Sequence, residues 1–94
     1  MHYIYILYSI ELNRFYTGQT SNVEIRKDFH DQAPPNKFTA QAKDWELFHE
    51  IACQTKEQAL KIEMHIKRMK SSTYIKNLKK YPEITEKLLE RYKR

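Results

Sequence analysis

The sequence predicts a small α+β domain: a three-stranded antiparallel sheet flanked by helices, in the order β-β-α-β-α-α-α. Three observations carry this. Residues 3–8, Tyr-Ile-Tyr-Ile-Leu-Tyr, run without a polar break, as a central strand covered on both faces does. Trp45, Leu47, His49 and Ile51 alternate with Glu46, Phe48 and Glu50, the two-residue period of another strand. From Thr55 onward the apolar residues recur at three- and four-residue spacing, the period of amphipathic helices.

Each element has its local reason. Ser9 to Arg14 is a polar connection containing Asn13, and Phe15 to Gly18 resumes as the return arm of a hairpin. Ser21 or Asn22 can cap a helix reaching about His30, with Ile25 and Phe29 as its buried stripe. Asp31 to Asp44, with Pro34-Pro35 and Asn36, has no periodicity and reads as a surface loop. Thr55 and Gln58 have the spacing of a capping box that opens a helix to about Lys70, with Ala59, Ile62, Ile66 and Met69 as its seam. Tyr74, Ile75 and Leu78 mark a short helix. Pro82 suits the first turn of a last one, whose stripe is Ile84, Leu88 and Tyr92. Residues 1–80 read as the domain proper and 81–94 as a helical extension packed on it. Ninety-four residues suffice for one modest core and not for two.

Seventeen Lys and Arg against twelve Asp and Glu give a net charge of +5, which suits nucleic acid or another polyanion without identifying one. The single cysteine, Cys53, excludes an internal disulfide and a Cys-based zinc site. The opening Met1-His2-Tyr3-Ile4-Tyr5 is strand-like rather than signal-like, and no apolar run reaches bilayer length. A cytoplasmic protein without a membrane partner is expected.

Several residues can carry chemistry. Gly18 is the only glycine, so it answers a backbone need, either a positive φ or a close approach. Tyr5 and Tyr16 fall on strands expected to pair, but a phenol titrating near pH ~10 acts as a base only beside a cation or metal-bound water. Arg26 and His30 stand four apart on one helix face. Arginine offers a fork for phosphate oxygens, and histidine moves a proton near neutral pH. Glu63 falls inside the apolar arc of its helix, where a carboxylate must be paired or bound to a cation. It can form an i, i+4 ion pair with Lys67 or ligate a metal; magnesium often takes only one or two protein carboxylates. Lys37, Lys43, Lys56, Lys61, Lys67, Arg68 and Lys70 add positive charge, and Phe38 and Trp45 are candidates for stacking on bases.

Together these residues resemble the GIY-YIG nuclease superfamily, in particular its small single-domain bacterial members, over about residues 2–80. Tyr3-Ile4-Tyr5 stands in the GIY place and Tyr16-Thr17-Gly18 in the YIG place. The segment Thr20 to Arg26, with His30, matches the helix bearing the family's arginine and histidine. Glu57 to Glu63, followed by Ile66-Lys67, looks like the segment bearing its metal-binding glutamate. Tyr3 replaces a glycine and Thr17 an isoleucine. Asp31-Gln32-Ala33-Pro34-Pro35 stands where relatives often carry an Asn and a glycine-containing turn.

The resemblance implies a metal-dependent endonuclease acting on DNA, non-sequence-specific or structure-selective. Glu63 would hold one Mg²⁺ or Mn²⁺, Tyr5 or Tyr16 would deprotonate or orient the attacking water with His30 assisting, and Arg26 would stabilise charge on the phosphoryl oxygens. Gly18 would allow close packing at the site, and Lys37, Lys67 and Lys70 would bind substrate. The alternatives are a catalytically silent nucleic-acid-binding module of the same fold, or an interaction domain using the stripe of the last helix. A monomer or weak homodimer is expected.

Overall fold

The computed structural model describes residues 1–21 and 44–93. Strand β1 (His2–Ser9) lies at the centre of the sheet, between β2 (Arg14–Thr20) and β3 (Glu46–Cys53), and both neighbours run antiparallel to it. Three helices follow: α1 (Lys56–Met69), α2 (Ser72–Lys80) and α3 (Pro82–Arg91). The α+β arrangement and the central place of the first strand match the sequence reading. The helix expected before the 31–44 loop lies outside the described residues.

The β1–β2 register pairs Tyr5 with Gly18 and Leu7 with Tyr16. Residues opposite one another share a face, so Tyr5, Leu7, Tyr16 and Gly18 lie on one side of the sheet and Ile4 and Ile6 on the other. On β3 the register shifts at the Ile6/Leu7 step: Ile6 faces His49, Leu7 faces Leu47, and Phe48 is the extra residue of a bulge. This corrects the strict alternation read from the sequence. Ile51 and Cys53 join the Ile4–Ile6 face and Phe48 packs with them, whereas Leu47 crosses to the face of Tyr5 and Trp45.

The first face forms the main core. Ile4, Ile6, Ile51 and Cys53 meet Ala59, Ile62 and Ile66 of α1, with Leu78 of α2 and Leu88 of α3 closing it. Each such aliphatic side chain contributes about 1.5–3 kcal/mol by leaving water. Ile84 and Tyr92 pack half-buried against the same cluster, so the stripe of α3 is covered by its own domain. Met69 does not join the seam: it is 46% exposed, because α1 ends there and Lys70 turns the chain away in the left-handed region (φ 47°).

Caps fix the helix entries. Thr55 Oγ1 accepts from Gln58 N at 3.1 Å, while Gln58 Oε1 accepts from Gln54 N at 2.8 Å, one residue before the partner of a standard capping box. Gln58 Nε2 also donates to Leu89 O at 2.9 Å, tying the start of α1 to α3. Asp44 clamps the β1–β2 turn. It accepts from Ser9 Oγ at 2.6 Å and from Glu11 N at 2.9 Å, and these two bonds hold its carboxyl below the usual carboxylate range. Among the described residues no helix is long and apolar enough to cross a membrane.

Candidate active site

The second face of the sheet carries the hydroxyls of Tyr5 and Tyr16, while the first is mainly aliphatic, with Thr17 and His49 opposite Ile6. Tyr5 comes from the central strand and Tyr16 from its neighbour, on the diagonal across the pair, with ring centroids 6.3 Å apart. Between them in register lies Gly18, directly opposite Tyr5. A Cβ built on Gly18 would overlap the hydroxyl and ring carbons of Tyr5. Gly18 does not have a positive φ. Of the two needs the sequence left open, close approach is therefore the operative one: the glycine is the floor on which the Tyr5 ring lies.

Tyr5 is a buried phenol, 7% exposed. Burial pushes its pKa up to about 12, and Tyr16, the charge of Glu63 and a hydrogen bond to Tyr16 add to the rise. The Glu63 carboxylate acts on Tyr5 electrostatically. Glu63 reaches the site from α1, which packs against both β1 and β2.

Glu63 is half-buried, its side chain 14% exposed, and Lys67 Nζ pairs with its Oε2 at 3.3 Å. Of the two readings open for Glu63, the ion pair is present, and it satisfies a carboxylate that burial would otherwise penalise. The pair leaves metal binding possible, because a divalent ion competes for the same oxygen. Among the described residues no three His, Cys, Asp or Glu side chains come together. The Glu63 carboxylate is a hard oxygen donor. It fits Mg²⁺ or Mn²⁺ completed by water, and it does not suit a metal that needs thiolate or imidazole.

Lys67 and Lys70 line a cleft of about 580 Å³ between β2 and the α1–α2 junction. Tyr16 lines it too, so the cleft opens beside the tyrosine pair. Arg26, His30 and Lys37 lie outside the described residues, as does Phe38. Trp45 is corrected: at 2% exposed it is packed with Tyr5 and Leu7 and offers no face to a base. Its ring instead supports the underside of the tyrosine site.

Two residues here escaped the sequence reading. In sequence Asp44 reads only as the end of a loop, and nothing in its neighbourhood announces a partner 35 positions away. Arg14 lines the cleft alongside Tyr16. Its signal was available, a cation two residues before a candidate tyrosine, but hairpin turns carry such residues for solubility alone.

The fold is a small α+β domain with a tyrosine pair and a glycine on one sheet face, and the comparisons supply its family. The GIY-YIG catalytic domain matches residues 1–81, and this chain belongs to the GIY-YIG family. It is also similar to a UPF0213 protein of Natronomonas pharaonis, 37% identical over 68 residues that cover 72% of this chain and 79% of the relative. No solved structure matches the chain. Membership carries nuclease-type activity in general, with nucleic acid as the class of substrate.

Proposed function

We propose that this protein is a divalent-metal-dependent endonuclease that hydrolyses DNA phosphodiester bonds, without sequence specificity or with selectivity for strand structure. The observation that carries the reading is the Tyr5–Tyr16 pair packed on Gly18, with the Glu63 carboxylate of α1 acting electrostatically on Tyr5. A phenol buried against the one residue that leaves room for it, beside a half-buried carboxylate, has no need to be there for packing alone. Family membership supplies the reaction class.

Glu63 is the residue that would hold the ion, Mg²⁺ or Mn²⁺. When bound, the metal supplies charge neutralisation at the scissile phosphate. Tyr5, with its pKa pushed up to about 12, keeps its proton at neutral pH. Tyr5 or Tyr16 would deprotonate or orient the attacking water, with His30 assisting. Arg26 would face the phosphoryl oxygens as negative charge grows on them. The attacking water forms the new P–O bond, the bridging P–O bond breaks, and the leaving oxygen takes up a proton. Lys37, Lys67 and Lys70 would hold the backbone on either side, in the cytoplasm, with the protein acting as a monomer or weak dimer.

The test incubates the full chain with supercoiled plasmid, branched DNA and single-stranded DNA and RNA, with Mg²⁺, Mn²⁺ or EDTA. Metal-dependent cutting is expected. Glu63→Gln should lose it by about 10²–10³-fold or more, with a thermal midpoint close to the parent's. Absence of cutting with salt-sensitive DNA binding intact would replace the enzyme with a binding module. Cutting that survives Glu63→Gln would move the active site elsewhere.

A further inference from the structure

We infer that the cleft between β2 and the α1–α2 junction is a binding track for the phosphate backbone of a DNA strand beyond the bond being cut, with Arg14 and Lys70 as its anchors. This rests on the nuclease reading for its substrate. It joins Lys67 and Lys70 to one continuous cleft and assigns Arg14 a role there.

Three features of the cleft single it out. First, its charge has one sign: Arg14, Lys67 and Lys70 line it, and among the described residues no Asp or Glu does. Another hollow, about 380 Å³ beside α3, is lined by Glu86, Glu90 and Lys93 together and has no such bias. Second, the cleft is continuous with the candidate active site, because Tyr16 and Lys67 belong to both. A strand whose scissile phosphate lies at Glu63 therefore meets the cleft with its next phosphates. Third, Lys70 holds its cation at a left-handed position, φ 47°, where glycine is the preferred helix-ending residue.

The chemistry at each point suits a polyanion. The Arg14 guanidinium can take two oxygens of one phosphate in its fork, while Lys67 and Lys70 act as compact point charges. Phe15 and Ile66 give the cleft an apolar wall against which sugar carbons can rest.

The experiment measures DNA affinity of the full chain in EDTA over a series of KCl concentrations, for the parent, Arg14→Ala, Lys70→Gly and Lys87→Ala. Lys87 lies on α3 and outside the cleft lining. Each lost phosphate contact lowers the slope of log K against log salt by about 1. The slope should fall by about that amount in Arg14→Ala and in Lys70→Gly and stay at the parent value in Lys87→Ala. Lys70→Gly relieves the left-handed lysine, so its midpoint of unfolding should rise, and weaker binding by a more stable protein cannot be blamed on misfolding. Metal-supported cutting, assayed in parallel on Arg14→Ala at saturating DNA, should keep its kcat and show a raised KM.

Equal slopes in all four proteins overturn the track, and if cutting persists the nuclease reading stands without it. A slope that falls in the two cleft variants while the parent does not cut upholds the track and removes the nuclease reading. Loss of slope in Lys87→Ala equal to that in Arg14→Ala also overturns the track, because binding then spreads over the whole basic surface.

Discussion

The two faces of the sheet are built from the same strands and do different work. The face of Ile4, Ile6, Ile51 and Cys53 packs mainly aliphatic side chains against α1, α2 and α3, with Thr17 and His49 opposite Ile6 as its polar members. The face of Tyr5, Leu7, Trp45, Tyr16 and Leu47 is also buried, but it keeps phenolic hydroxyls in the packing and a glycine where a side chain would fit poorly. The first face stabilises mainly by burying aliphatic surface. The second gives up apolar surface at Gly18 and holds a phenol out of water, a cost a stable core has no reason to accept. The contrast separates the residues that make the protein fold from those the proposed chemistry needs, although they alternate along β1.

That separation can be broken by substitution. On the first face, Ile62→Ala empties space at the centre of the core and should cost about 2–5 kcal/mol of stability. Denaturant titration would register this, and the fraction that remains folded should keep the parent's activity per molecule. Equal loss of activity in the folded fraction would dissolve the distinction between the faces.

On the second face, Gly18→Ala drives a methyl into the Tyr5 ring and should cost about 1–3 kcal/mol by overpacking. Cleavage should fall well beyond what that loss of stability explains, because the Tyr5 hydroxyl must leave Tyr16 and Glu63. Pairing it with Tyr5→Phe sharpens the result. If the glycine acts only through the Tyr5 hydroxyl, the double variant should be no less active than either single one.

The smallest effect is that of pH. His49 is held below the usual histidine range by burial and then by the Lys79 cation, with Glu50 opposing. His65 is lowered by burial and then by Arg91 and Arg68. For both, the folded protein binds a proton less readily than the unfolded chain. Their contribution is complete above pH ~6.5 and is lost as pH falls from there toward the folded values. Asp44 acts at lower pH. Its depressed value gives stability that is present above pH ~3.9 and disappears as the carboxylate is protonated. Thermal midpoints should therefore be flat from neutrality to about pH 6.5 and decline below it, with a further drop near pH 4 that Asp44→Asn removes.

These differences separate what could be read in the sequence from what could not. The unbroken run of β1, the cap at Thr55, the seam of Ala59, Ile62 and Ile66, and the pairing of Glu63 with Lys67 are local, fixed by residues within one or two turns or one strand length. Motif spacing likewise sufficed to nominate Tyr5, Tyr16, Gly18 and Glu63. The stacking role expected of Trp45 failed because exposure depends on what covers a residue, and its neighbours Tyr5 and Leu7 are some forty positions away in the chain. The alternation expected across Leu47, Phe48 and His49 failed because one bulge moves a side chain to the other face.

By itself, then, the sequence determined the order of the elements, their caps and the identity of the groups that can do chemistry, since these follow from backbone preference and periodicity over short spans. Tertiary structure alone decided register, and register decided the rest. It set Gly18 beneath Tyr5, which explains the glycine by contact rather than by φ. It also brought Glu63 to the tyrosines from a separate helix, tied Asp44 to Ser9, and placed Arg14 with Lys67 and Lys70 around one cleft. The physical reason is the same in each case. A strand's side chains have a fixed two-residue period, but which partner they meet is set by pairing between residues far apart in the chain.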